Sequence, residues 1–404
     1  MPTPAQVCTW IATVGLLAPS LAAGQGRTEQ EIVELIVRDG PQARAIRAES
    51  EVTHREQLAR LSHPNPSVIY SREGAGFTEF FQAEQALSLF GARDALSRAG
   101  VAATAAAEAE RDLRLWLLRS EAAAAVARVI AEQERLESVR AHMREVARLI
   151  EILRTREREG EGSRFDRLRA EQELRDTNQV VTSAAVALAE ARATVSGMLP
   201  SNASLTTVAG TQITQQPPIP LETLSTRAKS TRAELRALEQ VGQRATFEAE
   251  AARRSRLPSP SLFGGVKRAD ELSGRKTGGV FGMTVALPLF DDGGRDAARW
   301  EAERSRVEAE RMFIEDRIRS EISGASEVLT LRQAALFQEQ EQGTAEELVQ
   351  IAVVAYREGE VGILELLDAA RTASRARARS IDLRLDARLA QIALERAVGD
   401  TLWP

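Results

Sequence analysis

The sequence predicts a mainly α fold with a small β part, one helix–strand–strand–long helix–helix unit built twice. Three observations lead there. Ala, Arg, Glu and Leu dominate a 404-residue chain that is 43% hydrophobic but only 4% aromatic, the mixture of long helices packed through small side chains. The chain matches itself in three places, in the same order, at an offset of about 200 residues. Period-two alternation, the mark of a strand, is confined to a few short runs between the helical stretches.

The three matches are REGEGSRFDRL at Arg158–Leu168 against REGEVGILELL at Arg357–Leu367, Pro64–Val68 against Pro258–Leu262, and LSLF at Leu87–Phe90 with Arg93 and Asp94 against LPLF at Leu287–Phe290 with Arg295 and Asp296. They set the organisation of the chain. Residues 1–23 read as a secretory leader, with an apolar run from Val7 to Leu17 and small residues near Ala22, although no Lys or Arg precedes the run. A buried N-terminal helix is the competing reading. Cys8 sits inside the apolar run, too early for a lipidation cysteine.

The first repeat spans 24–199. Its opening helix runs from Thr28 to Leu61 and is stopped by Pro64. Strands at 67–72 and 79–89 follow, joined by a polar loop at Glu73–Thr78. A long helix then runs from Ala92 to Glu157, about 97 Å at 1.5 Å per residue, the length of a coiled coil or helical array rather than of a globular bundle. Gly160 and Gly162 break it at a tip near 158–166, and a last helix reaches Val195. A polar, Pro-bearing connector occupies 200–220. The second repeat, 221–404, repeats the plan: a helix from Leu221 to Arg256 stopped at Pro258, strands at 261–267 and 279–289 around a loop at Arg268–Lys276, a long helix from Arg295 to Arg357, a tip near 357–368, and a last helix to Val398.

The strand at 279–289 is the most telling. Phe281, Met283, Val285, Leu287 and Leu289 fall on one face, and Gly282, Thr284, Ala286 and Pro288 on the other. Such alternation describes a sheet over a core or a membrane barrel strand. After the leader no run approaches the roughly 20 apolar residues of a spanning helix, so any membrane span must be made of strands. Four strands cannot close a barrel in lipid, where open edges stay unsatisfied. Twelve strands from three chains can, which makes a homotrimer the expected assembly.

Composition excludes several functions. The net charge is -5 with both signs interleaved, unlike the clustered basic face of a nucleic-acid binder. The mature chain has no thiol, and His54, His63 and His142 form no pair at ligand spacing, so no metal site is expected. No Ser/His/Asp set, Cys/His pair or carboxylate dyad in a pocket emerges, so the chain reads as a non-enzyme without cofactor. The segment Gly274–Thr277 lacks the glycine pattern of a phosphate loop, and Asp291–Arg295 lacks the spacing of a calcium loop. At that strand-to-helix turn Asp291 or Asp292 can cap the long helix while Gly293 and Gly294 permit a sharp turn before Arg295.

Two motifs, LPLFDDGGR at Leu287–Arg295 and YREGEVGILELLD at Tyr356–Asp368, together with the duplicated plan, resemble the TolC family of outer-membrane efflux proteins over essentially the whole mature chain. The compact length and short ends are similar to its heavy-metal CzcC and CusC branch. The resemblance implies a 12-stranded outer-membrane barrel continuing into a long periplasmic helical barrel. It implies a passive trimeric duct that serves a periplasmic adaptor (membrane fusion) protein and an inner-membrane pump of the RND type. It also implies a gate at the periplasmic tip. Glu365 and Asp368 match positions of an acidic constriction, and Tyr356 matches a tyrosine of the latch. Val361 stands where the family has an arginine, so Arg357 or Arg169 would have to substitute. In the first repeat Asp166 and Arg169 match Glu365 and Asp368, so only the second hairpin is expected to line the constriction. The tips Arg158, Glu159, Gly160 and Arg357, Glu358, Gly359 match the family's adaptor-docking region. The alternative is a secreted or periplasmic coiled-coil scaffold without a pore, which has no use for alternating strands. The exported cargo is not legible.

Overall fold

The computed structural model describes residues 26–74, 78–210, 217–271, 274–342 and 344–403. The expected leader, including Cys8, lies outside them, as do parts of the 73–78 loop, of the 200–220 connector and of the 268–276 loop. In chain order the elements are β1 (Arg27–Thr28), α1 (Glu29–Asp39), α2 (Pro41–Arg60), β2 (Ser67–Glu73), β3 (Thr78–Ala86), α3 (Ala92–Arg158), α4 (Arg164–Met198), β4 (Val208–Ala209), α5 (Leu221–Thr231), α6 (Ala233–Arg254), β5 (Ser259–Glu271), β6 (Gly274–Ala286), α7 (Gly294–Gln342), α8 (Ala345–Glu358) and α9 (Ile363–Val398).

The chain is duplicated and mainly helical, with one small four-stranded sheet. Thr28 opens the first helix with a capping box: its hydroxyl accepts from Glu31 N–H at 3.3 Å, and its own N–H donates to the Glu31 carboxylate at 2.9 Å. The opening helix of each repeat is not continuous, contrary to the sequence expectation. The first breaks at Gly40, because Pro41 has no N–H to bond and pushes the residue before it out of the α region. The second breaks at Arg232, whose buried side chain turns inward to bond the Arg396 carbonyl at 3.2 Å and Glu321 at 3.0 Å. The expected uninterrupted helix 295–357 is likewise two helices, with non-helical Thr344 (φ -100°, ψ 5°) opening α8.

The two repeats build matching cores. In the first, Ile32, Val33 and Ile36 of α1 pack on Leu118, Val126 and Val129 of α3 and Val195 of α4. In the second, Leu224 and Ala228 of α5 pack on Ile314, Ile318 and Ile322 of α7 and Leu394 and Val398 of α9. Along α7 the buried positions 314, 318, 322, 329 and 336 form one narrow stripe, so a long helix is fixed laterally along a seam rather than enclosed. A parallel pairing of β1 with β4 ties the start of the first repeat to the connector.

The sheet runs β2-β3-β5-β6, antiparallel throughout, with strands from both repeats side by side. β5 and β6 are 13 residues each, longer than the expected 261–267 and 279–289. Most of the expected 268–276 loop is strand, while Leu287 and Leu289 lie beyond the end of β6. The register shows why. Arg268 pairs with Thr277 and Asp270 with Arg275, so charged residues that read as a solvated loop continue the ladder.

Candidate functional site

The register sorts the sheet into two unlike faces. Val68 and Tyr70 of β2, Phe81 and Ala83 of β3, Leu262, Gly264 and Val266 of β5, and Phe281, Met283 and Val285 of β6 share one face. Every large apolar side chain among them is exposed, Phe281 to 91%. A row of Arg72, Glu79, Arg268 and Thr277 bounds this face at the hairpin end, where the Tyr70 hydroxyl donates to Glu79 at 3.2 Å. Four apolar rows, two residues apart along each strand, give a band of roughly 20 Å. The other face carries Ser67, Ser71, Gln82, Glu84, Lys267 and Thr284, interspersed with glycines and with Ile69, Phe80, Phe263 and Val280, and is the more polar of the two. A sheet that shows water its polar face and leaves its apolar face unpartnered is the reverse of a soluble sheet over a core, and suits the wall of a lipid-embedded pore.

Where strand passes to helix, the two repeats solve one geometric problem twice. Gly91 (φ 73°) and Gly293 (φ 71°) are left-handed, and their carbonyls accept the first helical bonds, from Ala95 at 3.1 Å and Ala297 at 2.9 Å. A Cβ on Gly293 would lie 2.1 Å from the Ala252 carbonyl oxygen. Gly293 is the position that needs glycine in the left-handed region; Gly294 already starts the helix. Asp291 accepts from Gly293 N–H at 3.1 Å and Asp292 from Gly294 N–H at 2.9 Å. Gly293→Ala is expected to destabilise the folded chain by about 1–3 kcal/mol through backbone strain, read as a lowered thermal midpoint, whereas Gly294→Ala costs clearly less.

The far ends of the hairpins are equally alike. At the first tip Gly160 (φ 81°) lets Glu161 N–H reach the Arg156 carbonyl at 2.9 Å; at the second, Gly359 (φ 77°) lets Glu360 N–H reach the Ala355 carbonyl at 2.9 Å. Both are left-handed helix ends closed over six residues. Arg158, Glu159, Gly160, Arg357, Glu358 and Gly359 are all exposed there. Ser163 caps α4 by accepting from Phe165 N–H at 3.1 Å.

Glu365 and Asp368 both lie exposed in the first turns of α9, while Ile363, Leu366 and Leu367 beside them face inward. Those three pack on Val146, Ile150 and Leu153 of α3, closing one hairpin on the other. Tyr356 is half-buried against the same cluster, with the Arg156 guanidinium over its ring at 5.7 Å. Burial, and then the Asp166 carboxylate beside it, push the Tyr356 hydroxyl above its ordinary range. Tyr356 thus meets Asp166 and Arg156, not the Arg357 or Arg169 that sequence reasoning offered.

Sequence reasoning also missed an ion pair across the hairpins. Arg371 of α9 donates to buried Glu173 of α4 from Nε at 2.9 Å and also from its Nη2. The partners are 198 residues apart, so no local spacing marks them. Beside this pair lies a cavity of about 570 Å³ between α3, α4 and α9. Among the described residues no group of His, Cys, Asp and Glu could hold a metal ion, and no helix is long and apolar enough to cross a membrane.

Residues 224–400 match the family model described as outer membrane efflux protein. No curated protein matches the chain. Among solved structures, a membrane protein from Pseudomonas aeruginosa is similar with a TM-score of 0.74 at 20% identity, covering 92% of this chain and 93% of that one. The outer membrane channel CmeC from Campylobacter jejuni gives 0.73 at 12% identity over 100% and 95%. CusC, described in terms of conformational changes on folding and transmembrane channel formation, gives 0.73 at 17% identity over 94% and 96%.

Proposed function

We propose that this chain, whose second repeat matches the outer membrane efflux protein family and whose whole length shares the fold of solved outer-membrane channels, is such a protein, and that its acidic tip gates the duct that three copies enclose. It is the outer-membrane channel subunit of a tripartite efflux system, a passive duct with a large periplasmic helical extension, and not an enzyme. The observation that carries the reading is the two-faced sheet. Its apolar face needs lipid, and its edges, β2 on one side and β6 on the other, need neighbours. Three chains close twelve strands and leave the polar face lining water. The exposed apolar side chains of α7, Phe313, Leu331 and Phe337, likewise suit the seam with a second copy.

At the tip, Glu365 and Asp368 from three chains supply six carboxylates, a ring that favours cations and repels anions. Tyr356, held among Asp166, Arg156 and the apolar cluster, secures the second hairpin in the closed position. The exposed tips at Arg158–Gly160 and Arg357–Gly359 offer charged side chains beside open backbone at Gly160 and Gly359 to the hairpin of an adaptor protein. The pump behind that adaptor is of the RND type, and the compact chain fits the heavy-metal branch typified by CusC.

Conductance of the purified trimer in a planar bilayer tests the gate. Wild type is expected to give small, cation-selective openings, and Glu365→Ala with Asp368→Ala larger and less selective ones. Unchanged reversal potentials would remove the acidic ring from the mechanism. No channel from well-folded trimer would favour the coiled-coil scaffold.

A further inference from the structure

His142 is the one histidine among the described residues that is buried, with 5% of its surface exposed, and it lies on α3 at the wall of the α3–α4–α9 cavity. Its Nδ1 has no hydrogen-bond partner, and the nearest carboxylate oxygen, on Glu145 of the same helix, is 3.9 Å away. This is where the two hairpins meet: α3 and α4 come from the first repeat and α9 from the second. The contact is held by Arg371 on Glu173 and, nearly two turns further along α9, by Arg377, which lies 3.7 Å from Glu145 and is also bound by Glu346 of α8 at 2.5 Å.

We propose that His142 is a proton-operated joint between the two hairpins, so that acid charges the imidazole inside this cavity and shifts the duct from closed to open. The proposal rests on the chain being a gated channel.

The groups facing the ring oppose one another. From α3 come Glu145 and, at the far end of the cavity, Glu132 paired with Arg135 at 3.2 Å. From α4 come Glu173 and Asp176. From α9 come Arg371, Arg375 and Arg377. Glu145 and Glu173 favour the imidazolium, but both are already engaged by arginines, and Arg377 disfavours it. Burial outweighs the carboxylates and holds the His142 pKa below its ordinary value. A protonated ring must therefore compete with Arg371 for Glu173 and with Arg377 for Glu145, the carboxylates that hold the hairpins together.

Linkage sets the sign. With the hairpins parted, the buried His142 ring meets water and returns towards an ordinary pKa near 6.5. The closed form then binds protons less readily than the open one. Closure is unaffected above about pH 6.5 and is lost as pH falls below it, by up to about tenfold in the open-to-closed ratio per pH unit per protomer until the closed-form pKa is passed.

The test is single-channel recording of the full-length trimer at pH 7.5 and pH 5, comparing wild type, His142→Gln, and His54→Gln with His63→Gln as a control for the two other histidines. The expected result is open probability rising at least tenfold in acid for wild type and the control, and no acid response in His142→Gln. An acid response that survives in His142→Gln, or is absent from wild type, overturns the joint while leaving the channel reading intact. Absence of channels in all three variants would instead strike the channel reading. His142→Arg, charged at both pH values, guards against a merely structural effect: it should be open already at pH 7.5, and a closed His142→Arg trimer also overturns the proposal.

Discussion

Phe281→Arg is expected to abolish stable insertion of the trimer. Phe281 sits in the middle row of the apolar face, level with Val68, Ala83 and Gly264, and is 91% exposed. An arginine on the lipid face of a barrel near the bilayer midplane costs about 2–4 kcal/mol, and the trimer carries the penalty three times. Unfolding in urea from lipid vesicles, followed by tryptophan fluorescence, reads the loss, as does recovery of trimer from outer membranes. Thr284→Arg, three residues on but on the polar face, is the informative control and should change stability by no more than about 0.5 kcal/mol. Equal damage from both variants would mean that the faces are assigned the wrong way round or that the sheet does not span lipid.

Arg371→Ala carries the second large effect. Glu173 is 6% exposed and its carboxylate is held by the Arg371 guanidinium. Removing the arginine leaves a buried charge without its partner, at a cost of about 3 kcal/mol. The loss should appear as a lowered urea midpoint of the helical signal and as wider, noisier conductance, because α4 and α9 are no longer joined. Replacing both residues, Glu173→Met with Arg371→Met, removes the charge together with its partner and should restore most of the stability. If the single variant is as stable as wild type, water or a neighbouring chain satisfies Glu173, and the bridge does not hold the hairpins.

Much of this was legible in the chain itself, for reasons particular residues make plain. The repeated Arg-Glu-Gly at 158–160 and 357–359 marked the tips because a left-handed helix end needs glycine, and both glycines occupy it (φ 81° and 77°). The Asp-Asp-Gly-Gly run marked the strand-to-helix turn for the same reason. Alternation at Phe281, Met283 and Val285 marked one apolar strand face because residues two apart on a strand point the same way. Leu287 and Leu289 kept the rhythm without the strand, since alternation measures side-chain pattern and not hydrogen bonding. The strand at 268–271 was missed because Arg268, Asp270 and Glu271 look like loop until their partners on β6 are known. The break at Arg232 carries no local signal; it exists because a side chain finds Glu321 and the Arg396 carbonyl far along the chain.

The sequence by itself therefore determined what depends on neighbours in the chain: the duplication, the order of helices and strands, the glycine turns and the apolar rhythm of the strands. Only the tertiary structure decided what depends on residues brought together from afar. It placed strands of both repeats side by side so that their apolar rows met on one face, set Tyr356 against Asp166 and Arg156, joined Arg371 to Glu173, and buried His142 where the hairpins meet. Dihedral preference and side-chain period act over a few residues and can be read locally. Desolvation and ion pairing depend on three-dimensional proximity, which in this chain spans distances close to the length of a whole repeat.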